Sequence, residues 1–168
     1  MELLHSSWLE IEDYLKFSNG IIIPTGSIEQ HGPIGLIGTD TLCANDIATE
    51  AAKKINALVA PALAYAPAEF NMGFAGTASI SISVYRDFCI EVFRSFERHG
   101  FEHIYVMNGH GANLDPLRDA AGTLKNASVK IKSWWDFSLV AELRSQFYGS
   151  WEGMHATPSE IAITQTKH

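Results

Sequence analysis

The sequence predicts an α/β fold with three layers, in which a mainly parallel sheet carries helices on both faces. Short apolar runs alternate with longer segments of helical periodicity along the chain, and this order is typical of parallel strands joined by crossover helices. Loops rich in glycine follow two of the apolar runs, at 24–40 and 108–113. Such loops are expected at strand ends, where ligand sites of open parallel sheets form. We therefore expect both loops to face one crevice.

Each predicted helix and strand has a local basis in the sequence. Apolar positions at helical spacing predict the helices, and short apolar runs bounded by Gly, Pro or Asn predict the strands. The predicted helices cover 7–17, 40–54, 84–99, 115–125, 138–147 and 159–166, and the predicted strands cover 21–23, 58–60, 103–107 and 129–133.

Particular residues fix several of these boundaries. The three consecutive isoleucines at 21–23 are typical of a strand covered on both faces. Asp40 or Thr41 is expected to cap the second helix. Pro61 stops the second strand, and Gly100 ends the third helix.

Length and composition indicate one globular domain over 1–168, because 46% of the residues are hydrophobic. A formal charge of -7 opposes binding to nucleic acid or to an anionic membrane. No apolar run is long enough to span a membrane, and the acidic start does not resemble a signal peptide, so a cytoplasmic location is expected. Cys43 and Cys89 are expected to be buried thiols without a disulfide.

The 24–40 loop holds the first group of candidate ligands, Glu29, His31 and Asp40. Carboxylate oxygen together with imidazole nitrogen suits Zn, Mn or Fe, and a carboxylate can bridge two ions. Spacing alone leaves another interpretation open, in which Glu29 and His31 are solvated and Asp40 is a helix cap.

Two later segments add candidates. His110 follows a strand and is flanked by glycines that let an imidazole approach an ion, although a plain turn has the same pattern. His155 and Glu160 lie close together near the last helix, where the histidine can relay protons and the glutamate can face a cleft. Ordinary capping by Glu160 and a core position for Trp151 are the alternatives.

Taken together, GSIEQHGP at 26–33, TD at 39–40, NGHGAN at 108–113 and HATPSE at 155–160 resemble the creatininase family of amidohydrolases. The likeness runs from the SWLEIEDYL start through Gly76-Thr77 to nearly the end of the chain, and the order and spacing of the motifs agree.

The resemblance implies a creatininase-like α/β fold, two divalent metal ions per chain of Zn or Mn type, and a ring-like homo-oligomer, a hexamer. It implies that Asp40 bridges the two ions, that His155 is the catalytic histidine and that Trp151 packs on the substrate. The implied metal ligands are Glu29, His31, Asp40, His110 and Glu160.

Three departures from the family pattern stand out. Ile34 replaces a polar loop residue, Ala112 replaces the glutamate of creatinine-hydrolysing members, and the chain stops eight residues after Glu160 where members are generally longer. The second departure argues against creatinine as the substrate. The leading hypothesis is a metal-dependent amidohydrolase that cleaves the C–N bond of a small cyclic amide or formamide-like substrate, with His155 passing the proton to the leaving nitrogen.

An alternative is a catalytically silent metal-binding subunit of a homo-oligomer. The expected mark of such a subunit is loss of the proton-relay histidine, and the presence of His155 favours the enzyme. A nucleotide-binding domain is disfavoured, because the chain has neither a GxGxxG nor a GxxxxGK[ST] loop.

Overall fold

The computed structural model describes residues 1–168 and contains one sheet of four parallel strands. The strands are β1 (Gly20–Thr25), β2 (Leu58–Val59), β3 (His103–Asn108) and β4 (Ser128–Ser133). Their order across the sheet is β2-β1-β3-β4. The loops after β1 and β3 therefore leave adjacent strands.

Six α-helices connect and follow the strands. They are α1 (Trp8–Leu15), α2 (Thr39–Ile55), α3 (Ile82–Arg98), α4 (Leu114–Ala121), α5 (Ser138–Tyr148) and α6 (Pro158–Lys167). Two of them begin with a capping box, in which the cap hydroxyl and the third-residue glutamate satisfy each other's backbone amides: Ser7 with Glu10, and Thr157 with Glu160.

The helices cover the sheet on both sides. One apolar cluster joins Ile21 and Ile23 of β1 to α1, α3 and α4, with Phe93 and Leu117 fully buried. A second cluster on the other face joins Ile22 to α2 and, through partly buried residues, to α5 and α6. Because successive side chains of a strand point to opposite faces, the isoleucine run supplies both clusters. The predicted three-layer α/β fold is confirmed.

Two predicted helix boundaries are wrong. Helix α2 begins at Thr39 with Gly38 as its cap, so Asp40 lies in the first turn and makes no capping bond. Its carboxylate bonds to Ser27 and two histidines instead. Helix α4 ends at Ala121 and not near Lys125, because Gly122 follows it.

Cys43 and Cys89 are buried and free, as expected. None of the helices combines the length and the apolar character that crossing a membrane requires.

Candidate metal centre

The site lies where β1 and β3 end side by side. The amide of Gly109 donates to the carbonyl of Thr25 over 2.8 Å, and the side-chain amide of Asn113 donates to the carbonyl of Gly26 over 2.9 Å. These bonds hold the two loops together at one crevice, as predicted. Gly109 has no room for a side chain, because a Cβ there would collide with the carbonyl of Asp40.

The first donor group consists of Glu29, Asp40 and His110. One ligand atom of each lies within 4.8 Å of the others. His110 Nδ1 is 2.9 Å from Asp40 Oδ2 and 3.2 Å from Glu29 Oε1. All three residues are buried.

The second donor group consists of His31, Asp40 and Glu160, again within 4.8 Å. His31 Nε2 lies 2.9 Å from Asp40 Oδ1. Glu160 also closes the capping box of α6, since its Oε2 accepts from the amide of Thr157 over 2.8 Å. The capping interpretation and the ligand interpretation of Glu160 are therefore compatible.

Backbone carbonyls orient both imidazoles. His31 Nδ1 lies 3.1 Å from the carbonyl of Glu29, and His110 Nε2 lies 2.8 Å from the carbonyl of Pro67. A carbonyl only accepts, so the outer nitrogen of each ring carries the hydrogen. In the neutral ring, the nitrogen that faces Asp40 then has a free lone pair, which is the arrangement of a metal-ligating histidine.

Burial and close contacts set the charges of the site. Burial alone would lower the pKa of His110, but the adjacent carboxylates of Asp40 and Glu29 outweigh that effect and raise the pKa to about 10. Burial alone would raise the pKa of Asp40, but His110 and His31 hold the pKa of this carboxyl well below its usual range. Burial raises the pKa of Glu160. Without ions, the site therefore relies on protonated imidazole to offset its carboxylates.

The donor atoms fit divalent metal ions. Three carboxylates and two imidazoles converge, which are the ligand types that Zn and Mn take in proteins. Glu29 Oε1 is buried and has no hydrogen-bond partner of acceptable geometry, although His110 Nδ1 is near it. An unpaired buried carboxylate oxygen is costly unless a cation faces it.

His155 stands beside both groups. Its ring centroid is 4.4 Å from that of His31, and its Nδ1 is 3.6 Å from Glu29 Oε1. Its Nε2 donates to the carbonyl of Gln30 over 2.8 Å. The ring is 37% exposed, unlike the buried histidines. It also forms a third possible ligand group with Glu29 and His31.

A cavity of about 320 Å³ opens onto the donor groups. Trp135 and Arg144 line it together with Asp40, His110 and His155. Trp151 does not line it and is 84% exposed, so its role in substrate packing stays a prediction. The sequence reasoning missed Trp135 and Arg144; both follow β4, and no motif marks them.

Two supporting residues were also missed. Asn71 donates to Glu29 Oε2 over 2.9 Å, and Ser27 donates to Asp40 Oδ2 over 2.8 Å. Ser27 belongs to the GSIEQHG motif, which was a usable signal. Asn71 ends a short 3-10 helix, Glu69–Asn71, for which the sequence offered no signal. A larger and mostly apolar groove of about 960 Å³, which reaches the amino ends of the strands, contains none of the donor residues.

A family model described as creatininase, creatinine amidohydrolase, matches residues 4–168. The chain belongs to the creatininase family. This confirms the resemblance stated from the motifs.

Two curated relatives illustrate the breadth of the creatininase family. The mycofactocin precursor peptide peptidase of Mycobacterium tuberculosis is 36% identical over 118 residues, which cover 64% of this chain and 47% of that protein. The creatinine amidohydrolase of Pseudomonas putida is 26% identical over 178 residues, which cover 94% of this chain and 68% of that protein. This chain thus spans about half the length of the first relative and about two thirds of the second.

Solved creatininase structures share the fold. A creatininase mutant of the Zn–Zn type is 24% identical with a TM-score of 0.78, covering 91% of this chain and 64% of that one. A structure called creatininase Mn is 24% identical with a TM-score of 0.79, covering 91% and 65%. At this identity the likeness supports the fold of this creatininase-family chain.

Proposed function

We propose that this chain hydrolyses the C–N bond of a small amide at a site for two divalent metal ions. The observation that carries the proposal is the position of Asp40. Its Oδ2 is 2.9 Å from Nδ1 of His110 in the first donor group, whereas its Oδ1 is 2.9 Å from Nε2 of His31 in the second. A carboxylate with one oxygen toward each of two donor groups has the arrangement of a bridging ligand.

The proposed ligands are Glu29 and His110 for one ion, His31 and Glu160 for the other, and Asp40 for both. Zn or Mn suits this mixed donor set, and Fe is chemically compatible with it. Ions bound there would polarise the amide carbonyl and make water nucleophilic at neutral pH. The proposed ligands hold the ions, and the cavity side of the donor groups stays open to a substrate.

His155 is the proposed proton relay. Its Nε2 is fixed by the carbonyl of Gln30, so the ring presents Nδ1 toward the site. From there it can accept a proton from water and deliver it to the leaving nitrogen, so that an amide and water become a carboxylic acid and an amine. Its partial exposure permits this exchange of protons.

The substrate class is a small cyclic amide or a formamide-like compound. A cavity of about 320 Å³ is near the lower limit of small-molecule sites. Ala112, where creatinine-hydrolysing members have a glutamate, argues against creatinine.

We further propose that 1–168 acts as one domain. We propose that the chain works in the cytoplasm as a homo-oligomer, a hexamer, and that nucleic acid and membranes are not its partners.

The experiment measures hydrolysis of a panel of lactams, formamides, ureas and short peptides before and after metal removal. We expect a chelator to abolish activity, and Zn or Mn to restore it. Full turnover by metal-free protein would refute the proposal.

The variant His155→Ala tests the relay. It should lose activity while its metal content, measured by elemental analysis, stays at two ions per chain. Loss of an ion would instead make His155 a ligand in the third group. A chain with two ions, intact His155 and no activity on the panel would favour the silent metal-binding subunit.

A further inference from the structure

One cationic side chain enters the cavity of the candidate metal centre. Arg144 on α5 is the sole lysine or arginine among its lining residues. The remaining ionisable groups there are Asp40, Glu160 and two histidines, which the proposed function assigns to metal binding and proton transfer. The charge of Arg144 has no role in that assignment.

The protein holds this guanidinium in place. Arg144 Nε donates to Glu152 Oε1 over 2.6 Å, and the guanidinium carbon lies 5.7 Å from the ring centroid of Trp134. Ser159 in turn donates to the same oxygen of Glu152. The Arg144 side chain is only 21% exposed. Little rotamer freedom therefore remains to be lost when a ligand binds.

Nε makes the one hydrogen bond of the Arg144 guanidinium. The two terminal nitrogens make none within the protein. An arginine that served only to link α5 to Glu152 would be expected to use its terminal fork, which matches a carboxylate with two parallel bonds. Here the fork is left available at a cavity wall. A planar pair of donors on a fixed cation is suited to an anionic group of a ligand.

We propose that Arg144 binds a carboxylate of the substrate. The substrate is then a cyclic amide or formamide-like compound with a free carboxylate close to the cleaved bond, such as a lactam that carries a carboxylate or an N-formyl amino acid. This inference rests on the proposed function, since the carboxylate would position the amide against the donor groups. It narrows the substrate class to acidic amides.

The test compares two matched probes, N-formylphenylalanine and its carboxamide, by isothermal titration of the Zn-loaded protein. The probes differ only in the carboxylate. Wild type should bind the carboxylate at least tenfold more tightly, and Arg144→Gln should lose most of that preference. Any attraction of the carboxylate to the ions is common to both proteins, so the change in the ratio belongs to Arg144.

Glu152→Gln is the control for a structural role. It removes the negative charge of the pair but keeps a side-chain oxygen that can accept from Arg144 Nε, so it should retain the preference for the carboxylate. Melting temperature and Zn content are measured for both variants. The inference is overturned if the ratio is unchanged in Arg144→Gln, if Glu152→Gln loses it equally, or if wild type binds neither probe at millimolar concentration.

Binding is read from the titration and cleavage from product analysis of the same mixtures, so the two proposals fail separately. A chain that binds the carboxylate through Arg144 but cleaves nothing contradicts the proposed function alone. A chain that cleaves carboxylate-bearing amides at the same rate in wild type and in Arg144→Gln contradicts the carboxylate anchor alone.

Discussion

Replacing Asp40 should remove most of the stability that metal gives to the fold. Metal that binds the native state alone stabilises it by RT ln(1 + [L]/Kd), about 2.7 kcal/mol at a hundredfold excess over Kd. For a domain of this size that corresponds to a rise of about 5 to 10 °C in the melting temperature.

The structure indicates how much of this metal-induced stability Asp40→Ala should lose. Asp40 belongs to both donor groups, so Asp40→Ala removes a ligand from each proposed ion. Loss of an outer-sphere partner already weakens metal binding about 10- to 100-fold, and loss of a ligand should cost at least as much. A hundredfold weaker Kd at the same metal concentration leaves about 0.4 kcal/mol, or roughly 1 to 2 °C.

The assay is thermal unfolding with and without Zn or Mn. Asp40→Asn is measured beside Asp40→Ala, because it keeps the shape of the side chain that contacts His31 and His110. Asp46→Asn is the matched control on the same helix, since its carboxylate contacts His168 over 3.0 Å and is in no donor group. It should keep the full metal-induced shift. An undiminished shift in both Asp40 variants would refute the bridging role.

Three further predictions concern the pH dependence of Zn binding, the hydrogen bond that supports Glu29, and the packing at Gly109. Apparent Zn affinity should rise from about pH 6 to about pH 8, because the metal must displace the proton that the raised pKa keeps on His110. Titration in buffers of different ionisation enthalpy counts the released protons, and an affinity that does not change with pH contradicts this prediction. Asn71→Ala should weaken metal binding about 10- to 100-fold, because Glu29 loses its side-chain donor; chelator competition measures it. Gly109→Ala should destabilise the metal-free fold by about 1 to 3 kcal/mol, because its Cβ would strike the carbonyl of Asp40; urea unfolding checks the sign.

The layers of the fold could be predicted because each strand and helix has a local signature. The run Ile21–Ile23 indicated a strand covered on both faces, and its side chains do divide between the two apolar clusters. The position of β1 between β2 and β3 could not be predicted, because hydrophobic periodicity does not specify which strands pair. The preference of Asp for helix caps misplaced the start of α2, because the Asp40 carboxylate contacts Ser27 and two histidines and does not cap the helix.

The meeting of the two glycine-rich loops could be predicted for a topological reason, whereas the full set of candidate ligands came from the family resemblance. Loops that leave parallel strands meet at one edge of the sheet, so candidates after β1 and β3 were expected together, and Glu29 and His110 do meet there. Asn71 and Arg144 escaped prediction, because Asn71 lies in a 3-10 helix of three residues and Arg144 lies on a helix where charged residues usually face solvent. Their placement depends on how segments far apart in sequence pack.

The buried charge of the site is itself an argument for function. Glu29, His31, Asp40, His110 and Glu160 are each 6% exposed or less. Taking such groups out of water costs several kcal/mol for each charge, and an apolar set of similar volume would often stabilise a fold as well or better. Protonated imidazoles relieve only part of the repulsion among three carboxylates, and Glu29 Oε1 remains without a hydrogen bond. Divalent cations would satisfy that oxygen and the open lone pairs of both rings at once. The cost of this buried polar cluster therefore supports the proposal that it binds metal ions.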